Sequence, residues 1–395
     1  MRPLDGIKVL ELGQLIAGPF TTKILGEFGA EIIKIEPPLT GDPLRKWRLL
    51  HNGTSVWWAS QSRNKKSVTV DLRSDEGQAI IRRLIKEVDI LVENFRPGAL
   101  ESWGLSEESL KELNPDLIMV RISGYGQTGP SKDLPGFGVI GEAMAGLRHL
   151  SGEPGRPPVR VGVSIGDSLA ALHAVIGALM ALRHREVQKS GGQVVDIALY
   201  ESVFNMMESL VAEYSVFGEV RQPAGSSLPG ITPSNAYLCA DGKYVLIGGN
   251  GDSIFKRLMY LIGRADIAED PAFAHNDGRS AEADYIDGII ANWAVQHNLD
   301  DVLVALHEQR IPAGRVYDIE DIFNDPHYKA RDMLIDGELE DGTAVTLPGI
   351  LPKLSKTPGK VSRRAPTLGQ DTKDVLSELG LSAEELLELR NKGVI

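Results

Sequence analysis

Apolar residues in this chain fall into short, nearly unbroken runs, with stretches of helical spacing between them. Ile7 to Leu12 (IKVLEL) is the first run, of the kind that forms a strand covered on both faces. IAGPF and then TTKILGEFGA follow, the latter with apolar positions at helical intervals and a stop at Gly29. EIIKIE (Glu31 to Glu36) is a second strand-type run, which makes the opening residues a βαβ unit of a parallel sheet. The pattern recurs through SVTVDL (Ser67 to Leu72), the helix GQAIIRRLIKEV, DILVEN (Asp89 to Asn94), a helix over Glu107 to Leu113, and DLIMVRIS (Asp116 to Ser123). This alternation predicts a doubly wound α/β layout, in which ligands bind beyond the carboxyl ends of the strands. IAGPF, ENFRPGAL and SGYGQTGP all lie at such ends.

From Ser123 to about Arg160 the chain is rich in loop-forming residues. The apolar run Leu169 to Leu182 then predicts a helix starting within Ser164 to Ser168, and QVVDIAL (Gln193 to Leu199) a further strand. Gly218 to Ser234 has the Gly, Pro and Ser content of a linker. NAYLCADGKYVLIGGNGDS places an Asp-Gly turn between two strand-like runs, a hairpin signal, and helical segments follow to about Gln309. The chain is therefore divided into a large α/β domain beginning with residues 1–224, a smaller α+β domain at 225–325, and a return segment at 326–395. That last segment ends in an amphipathic helix, SAEELLELRNKGVI, with a Ser382 cap and a Gly393 stop.

A length of 395 residues suits two domains, and 42% hydrophobic with 24% charged residues suits a soluble globular chain. The net charge of −12 argues against a nucleic-acid surface. Cys239 is the single cysteine, so no intrachain disulfide forms. The N-terminus lacks the pattern of a secretion signal, and the 14 apolar residues from Leu169 to Leu182 are too few to span a bilayer. These features predict a cytoplasmic protein.

Chemistry concentrates at GVSIGDSL (Gly162 to Leu169), where Asp167 stands behind Gly166 at the mouth of the apolar helix. An Asp there is commonly a helix N-cap. Equally, a carboxylate at a helix mouth lies beside N–H groups able to hold negative charge, which a carboxylate nucleophile needs. Gly124, Gly126 and Gly129 match GxGxxG, but Pro130, Pro135 and Gly136 forbid the helix a dinucleotide pyrophosphate requires. Arg63, Lys65, Lys66 and Arg73 surround one strand and suit either an anionic ligand or a solvated basic edge. Gly248 to Gly251 (GGNG), after the strand KYVLI, reads as a turn or as a mobile cover over a site. No histidine spacing suggests zinc, and no GxSxG elbow suggests a serine nucleophile.

In order, IAGPF, GAEIIKIEPP, GDPLR, SRNKKSVTVDL, VENFRPGAL, GYGQTGP, GVSIGDSLAAL, GGQVVDIALYES, GGNG and PTLGQDT run through essentially the whole chain. Together they resemble the class III coenzyme A transferases, the group of formyl-CoA transferase and the CaiB/BaiF proteins. The resemblance implies an enzyme that moves CoA from an acyl-CoA donor to a free carboxylic acid, with Asp167 as covalent nucleophile. It places CoA contacts at Val70, Arg73, Asn94, Phe95 and Ala99, and the AGP turn at Ala17 close to the thioester. Gly248, Gly249, Asn250 and Gly251 would cover the substrate. The implied fold is an interlocked homodimer whose large Rossmann-like domain is built from both ends of the chain. No permanently bound cofactor and no metal is implied, the CoA thioester being a substrate.

Pro37, Ser102 and Pro135 stand where formyl-CoA transferase has basic residues for the CoA phosphates, so an oxalate substrate is not expected. Gly138 replaces a commonly acidic position. An α-methylacyl-CoA racemase would need a histidine where Phe137 stands, and an acyl-CoA binding protein without activity would not need a reactive Asp167. The overall pattern is similar to members that use succinyl-CoA as donor and a dicarboxylate as acceptor.

Overall fold

Six of the apolar runs pair side by side in the computed structural model, which describes residues 1–395. They are β1 (Lys8–Glu11), β2 (Glu31–Glu36), β3 (Lys65–Thr69), β4 (Ile90–Glu93), β5 (Ile118–Ser123) and β6 (Val194–Ala198). All pairings are parallel, in the order β3-β2-β1-β4-β5-β6. The chain winds outward from β1 to β3, returns past β1, and winds the other way, leaving a switch point between β1 and β4. In such a sheet the crevice for a ligand opens there, beyond the carboxyl ends of the strands.

Successive strand residues face opposite sides, and both sides are buried. Leu10, Ile33, Val68, Leu91 and Met119 pack on one side with Ile80, Ile81 and Leu84 of α2 (Asp75–Ile85). Val9, Ile32, Ile90, Val92 and Ile118 pack on the other with Leu25 of α1 (Ala17–Glu27) and Ala170, Ala174 and Ala178 of the long helix Ile165–Gln188. Burial on both faces is the reason the strands read as continuous apolar runs.

The end of the chain closes the first of these layers. Val375, Leu376, Leu381, Leu386, Val394 and Ile395 belong to the Leu10 cluster. The Asp371 carboxylate accepts from the Ser67 N–H at 2.9 Å and the Thr372 hydroxyl from the Thr69 N–H at 2.9 Å, so this segment satisfies donors of the edge strand β3. The terminal helix Ala383–Asn391 starts with a reciprocal capping box between Ser382 and Glu385, and Gly393 adopts φ 71° beyond it.

Two compact units result, one comprising Met1–Leu147, Val161–Phe217 and His327–Ile395, the other Arg148–Arg160 and Gly218–Pro326. The sequence boundaries at 224 and 325 differ from these, because residues 148–160 and 218–224 group with the smaller unit. Glycine and proline content marks a break in regular structure without saying which side a loop packs on. The smaller unit holds an antiparallel sheet with Ser234–Leu238 and Tyr244–Gly248 as its hairpin and Ala313–Arg315 as third strand. Its core is Phe255, Leu258, Ile286, Ile290, Val302 and Leu306.

The helix Ile165–Gln188 is longer than its 14-residue apolar run, and by length and composition alone it could cross a membrane. Its alanine face is instead buried against the sheet, while Leu172, Ile176, Leu179 and Met180 are exposed.

Deleting Val394 and Ile395 should lower the thermal midpoint measurably, since each buried aliphatic side chain contributes about 1.5–3 kcal/mol and Asp71 loses the N–H bond to the Val394 carbonyl at 2.8 Å. A calorimetric midpoint unchanged by the deletion would show that the tail does not close this core in solution.

Candidate active site

Two helices meet at the candidate site, α3 (Gly138–Met144) and α4 (Ile165–Gln188). Ser164 is the N-cap residue of α4, without a side-chain cap bond, and Asp167 is the third residue of the helix itself. The expected N-cap role of Asp167 is therefore wrong: the helix begins three residues earlier than an Asp cap would place it. A carboxylate in the first turn still faces the positive end of the helix dipole. Gly166 is what lets α3 and α4 meet here. A Cβ on it would lie 3.0 Å from the Gly138 carbonyl oxygen and 3.4 Å from the Gly138 Cα. Reciprocally, a Cβ on Gly138 would lie 2.2 Å from Asp167 Oδ2.

Because α4 leads into β6 and α1 follows β1, both helices begin at the carboxyl edge of the sheet. They touch there, Thr21 Oγ1 lying 3.5 Å from the Ala171 carbonyl, one turn on from Ala17 and Asp167 respectively. The turn before α1 is shaped by Asn94, whose amide accepts from the Gln14 N–H and donates to the Gln14 carbonyl, both at 2.8 Å. Gly13 and Gly18 cross closely beside it, each with its Cβ position 3.2 Å from the other's Cα. Leu15, at φ 63°, gives its N–H to Asp42 at 3.0 Å.

Beneath this turn lies a cluster of fully buried charges. Lys34 Nζ is 2.8 Å from both Glu11 and Asp42 and donates to the Gly13 carbonyl at 2.8 Å. Lys65 Nζ is 2.9 Å from Glu11 and donates to the Pro19 carbonyl at 2.8 Å. Thr22 adds a hydroxyl to Glu11 at 2.5 Å. Burial alone would raise the Glu11 and Asp42 carboxyls, but Lys34 and Lys65 outweigh it at Glu11, and Lys34 with the Leu44 and Leu15 N–H groups outweighs it at Asp42, so both lie below their usual range. Burial would likewise depress Lys34, yet Asp42, Glu11 and Glu36 together raise it. Lys65, with fewer acids against its burial and Lys34 nearby, is pushed down to about 8.

A cavity of about 580 Å³ opens at the carboxyl ends of β1 to β4, lined in part by Gln14, Pro37, Val70, Arg73, Phe95 and Trp103. Phe95 and Trp103 meet edge to face at 5.1 Å. The structure thus brings together three of the expected contacts, Val70, Arg73 and Phe95, in one wall. Asn94 acts through Gln14; Ala17 is buried at the start of α1, and Ala99 opens the short helix Ala99–Ser102 outside the lining. Arg73 is the only cation in that lining, and its side chain is 79% exposed, paired with Asp71 at 2.9 Å. The rest of the basic run is paired: the buried Arg63 with Glu27 at 2.6 Å, the buried Lys65 with Glu11, and the part-exposed Lys66 with Glu31 at 2.5 Å. Of the two readings of this run, Arg73 and Lys66 keep surface exposure while Arg63 and Lys65 are buried in ion pairs.

Residues 4–372 match the family described as CoA-transferase family III. The chain belongs to that family. It is 48% identical to a succinyl-CoA–D-citramalate CoA-transferase of Chloroflexus aurantiacus, over 100% of this chain and 98% of the relative. It is 35% identical to a succinate–glutarate CoA-transferase of Agrobacterium fabrum, over 95% and 96% of the two chains. The crystal structure of a CaiB/BaiF family protein from Brucella suis superposes with a TM-score of 0.84 at 34% identity, covering 96% of this chain and 99% of the other. The protein is accordingly an enzyme, a class III CoA-transferase.

Within this CoA-transferase, Gly248–Gly251 form the turn between a strand and the helix Asp252–Leu261. Gly249 donates to the Pro233 carbonyl at 2.9 Å, and the buried Arg279 holds the Asn250 carbonyl at 2.6 Å. A Cβ on Gly249 would stand 2.9 Å from Leu258 and 3.0 Å from Pro233. Close packing accounts for the glycine at 249.

Two features of the site were missed in the sequence: the buried charge cluster and the contact of Gly138 with Asp167. Single charges within the strand runs EIIKIE and IKVLEL were the available signal, since a Lys or Glu between residues buried on both faces must find a partner inside.

Glu11 and Asp42 ionise below their ordinary 4.5 and 3.8 in the folded state, so their contribution is complete above those values and is lost as pH falls through the depressed ones. Thermal melts should therefore show stability declining from about pH 4.5 downward. Glu11→Gln strands the buried Lys65 ammonium and leaves Lys34 with Asp42 alone, and should cost about 3–5 kcal/mol at neutral pH, with a shallower acid decline than wild type. An unchanged neutral midpoint would refute the role given to this cluster.

Proposed function

We propose that this enzyme moves CoA from succinyl-CoA to a dicarboxylic acid through covalent intermediates on Asp167. The observation that carries the reading is the first-turn position of that carboxylate, on the same sheet edge as the cavity of Val70, Arg73 and Phe95. The substrate class is supported by relatives named for succinyl-CoA with D-citramalate, succinate with glutarate, and succinyl-CoA with mesaconate, the last from Haloarcula hispanica at 33% identity.

Asp167 attacks the donor thioester carbonyl, the C–S bond breaks, and an aspartyl anhydride and CoA thiolate form. The thiolate attacks the aspartyl carbonyl, releasing the donor acid and leaving an aspartyl-CoA thioester. The acceptor carboxylate then repeats both steps in reverse. Each step exchanges one acyl bond for another, so atoms and charge balance among Asp167, the two acids and CoA. Backbone N–H groups at the Ala17 turn stabilise the tetrahedral oxyanions, about 3 kcal/mol for a well-placed donor; the clamp of Asn94 on Gln14 keeps that turn rigid. Val70, Phe95 and Trp103 take the apolar face of the nucleotide, and Arg73 exchanges Asp71 for a CoA phosphate. Asn94 and Ala99 complete the wall indirectly.

The working form in this proposal is a cytoplasmic homodimer with a Rossmann-like large domain. The strand order supports the domain type. The exposed apolar faces of α4 (Ile176, Met180) and of Leu210–Phe217 (Tyr214, Phe217) support a second copy as their cover.

Asp167→Asn should keep the fold and CoA binding while turnover drops by about 10³-fold or more, and incubation of the wild type with succinyl-CoA should leave an Asp167–CoA adduct visible by mass. Wild-type turnover in the Asn variant would reject this chemistry. Acceptor panels should favour C4 to C6 dicarboxylates over monocarboxylates; equal rates would reject the substrate class. Sedimentation should find a dimer that separates only on unfolding, and a folded monomer at low concentration would count against the assembly.

A further inference from the structure

We propose that Gly138 is a positioning residue for the nucleophile: by having no side chain, it lets one oxygen of Asp167 lie in the space a Cβ would occupy and so sets which oxygen faces the thioester. The inference rests on Asp167 being the nucleophile. The position gives no other reason for glycine. Gly138 is the first residue of α3, its φ is not in the left-handed region, and glycine is a poor helix former. The three atoms nearest its Cβ position all belong to Asp167: Oδ2 at 2.2 Å, Cγ at 3.0 Å and the backbone nitrogen at 3.4 Å. Cβ atoms do not approach other heavy atoms to 2.2 Å, so in this chain a side chain at 138 turns the carboxylate from the orientation it has here, and relatives with an acidic residue at this position must seat theirs differently.

That seat bears on the chemistry at one atom. When Oδ1 bonds to the donor acyl carbon, the C–S bond breaks and the thiolate leaves. When the thiolate attacks Cγ, the Cγ–Oδ1 bond breaks, the donor acid departs with Oδ1, and Oδ2 carries the tetrahedral negative charge before the carbonyl re-forms. Oδ2 is never transferred, which is the role that lodging against a backbone permits. Gly166 secures the arrangement, since its own close contact with the Gly138 carbonyl oxygen fixes the spacing of the two helices.

The test is Gly138→Ala, alone and combined with Asp167→Ala, measured by steady-state CoA transfer, by single-turnover mass spectrometry of the Asp167–CoA adduct, and by thermal melts. We expect kcat to fall about 10²-fold, the scale of a misplacement near 1 Å, with the KM for acyl-CoA changed by less than about twofold, and adduct formation slowed by the same factor as kcat. The melts are the independent readout. Gly138→Ala should lower the midpoint when Asp167 is present and leave or raise it in Asp167→Ala, where alanine simply improves the helix; a single variant that folds only in the Asp167→Ala background gives the same answer. Wild-type kcat with additive midpoints overturns the proposal. Activity retained by Asp167→Ala would refute the nucleophile while the melts still decide the contact, so the two failures are distinguishable.

Discussion

Pairing of Lys34 with Glu11 and Asp42 is the constraint on which the rest of the large unit depends. Each of these groups is fully buried, and a single ion taken out of water costs several kcal/mol unless it is met by opposite charge and by hydrogen bonds. Here the spare donors of Lys34 and Lys65 go to the Gly13 and Pro19 carbonyls. The turn before α1 is thus held from below by ammonium groups whose alternatives are all costly. Asp42 completes the hold by accepting the Leu15 N–H and capping the turn that starts at Pro43. Lys65 of the basic run is consumed in this way, and Arg73 is the exposed cation at the cavity wall.

Above that foundation the site is built by close backbone approach. Gly13 with Gly18, and Gly138 with Gly166, bring chain segments within a distance that side chains would prohibit. The first pair shapes the turn at Ala17 and the second sets the Asp167 carboxylate at the start of α4. The two helices share the sheet's carboxyl edge because each runs antiparallel to the strands. A parallel sheet therefore supplies two adjacent helix N-termini, and a carboxylate in the first turn of one of them is favoured as an anion by the helix dipole. Membership of CoA-transferase family III, over residues 4–372, is consistent with a reaction that passes acyl groups over such a carboxylate.

The alternation of apolar runs determined much of this without any tertiary knowledge. The strands at Glu31–Glu36 and Ile118–Ser123, the helix Glu107–Leu113, the hairpin about Asp241 and Gly242, and the capped helix between Ser382 and Gly393 all stand where periodicity and turn chemistry put them. These are local properties: burial on both faces, a left-handed turn and a capping box each arise from a few neighbouring residues. The start of α4 was legible too, although Asp167 proved to be inside the helix rather than its cap. What tertiary structure alone decided is which charges meet. Glu11, Lys34 and Lys65 lie on three different strands; the runs around Glu11 and Lys34 signal that an internal partner is needed but not which one, and only the order of β3, β2 and β1 in the sheet brings these charges and Asp42 into one buried cluster. The same holds for Gly138 and Asp167, whose contact depends on how two helices cross. Sequence patterns report how much of each residue is covered, whereas pairing across the chain depends on topology, which has no local signature.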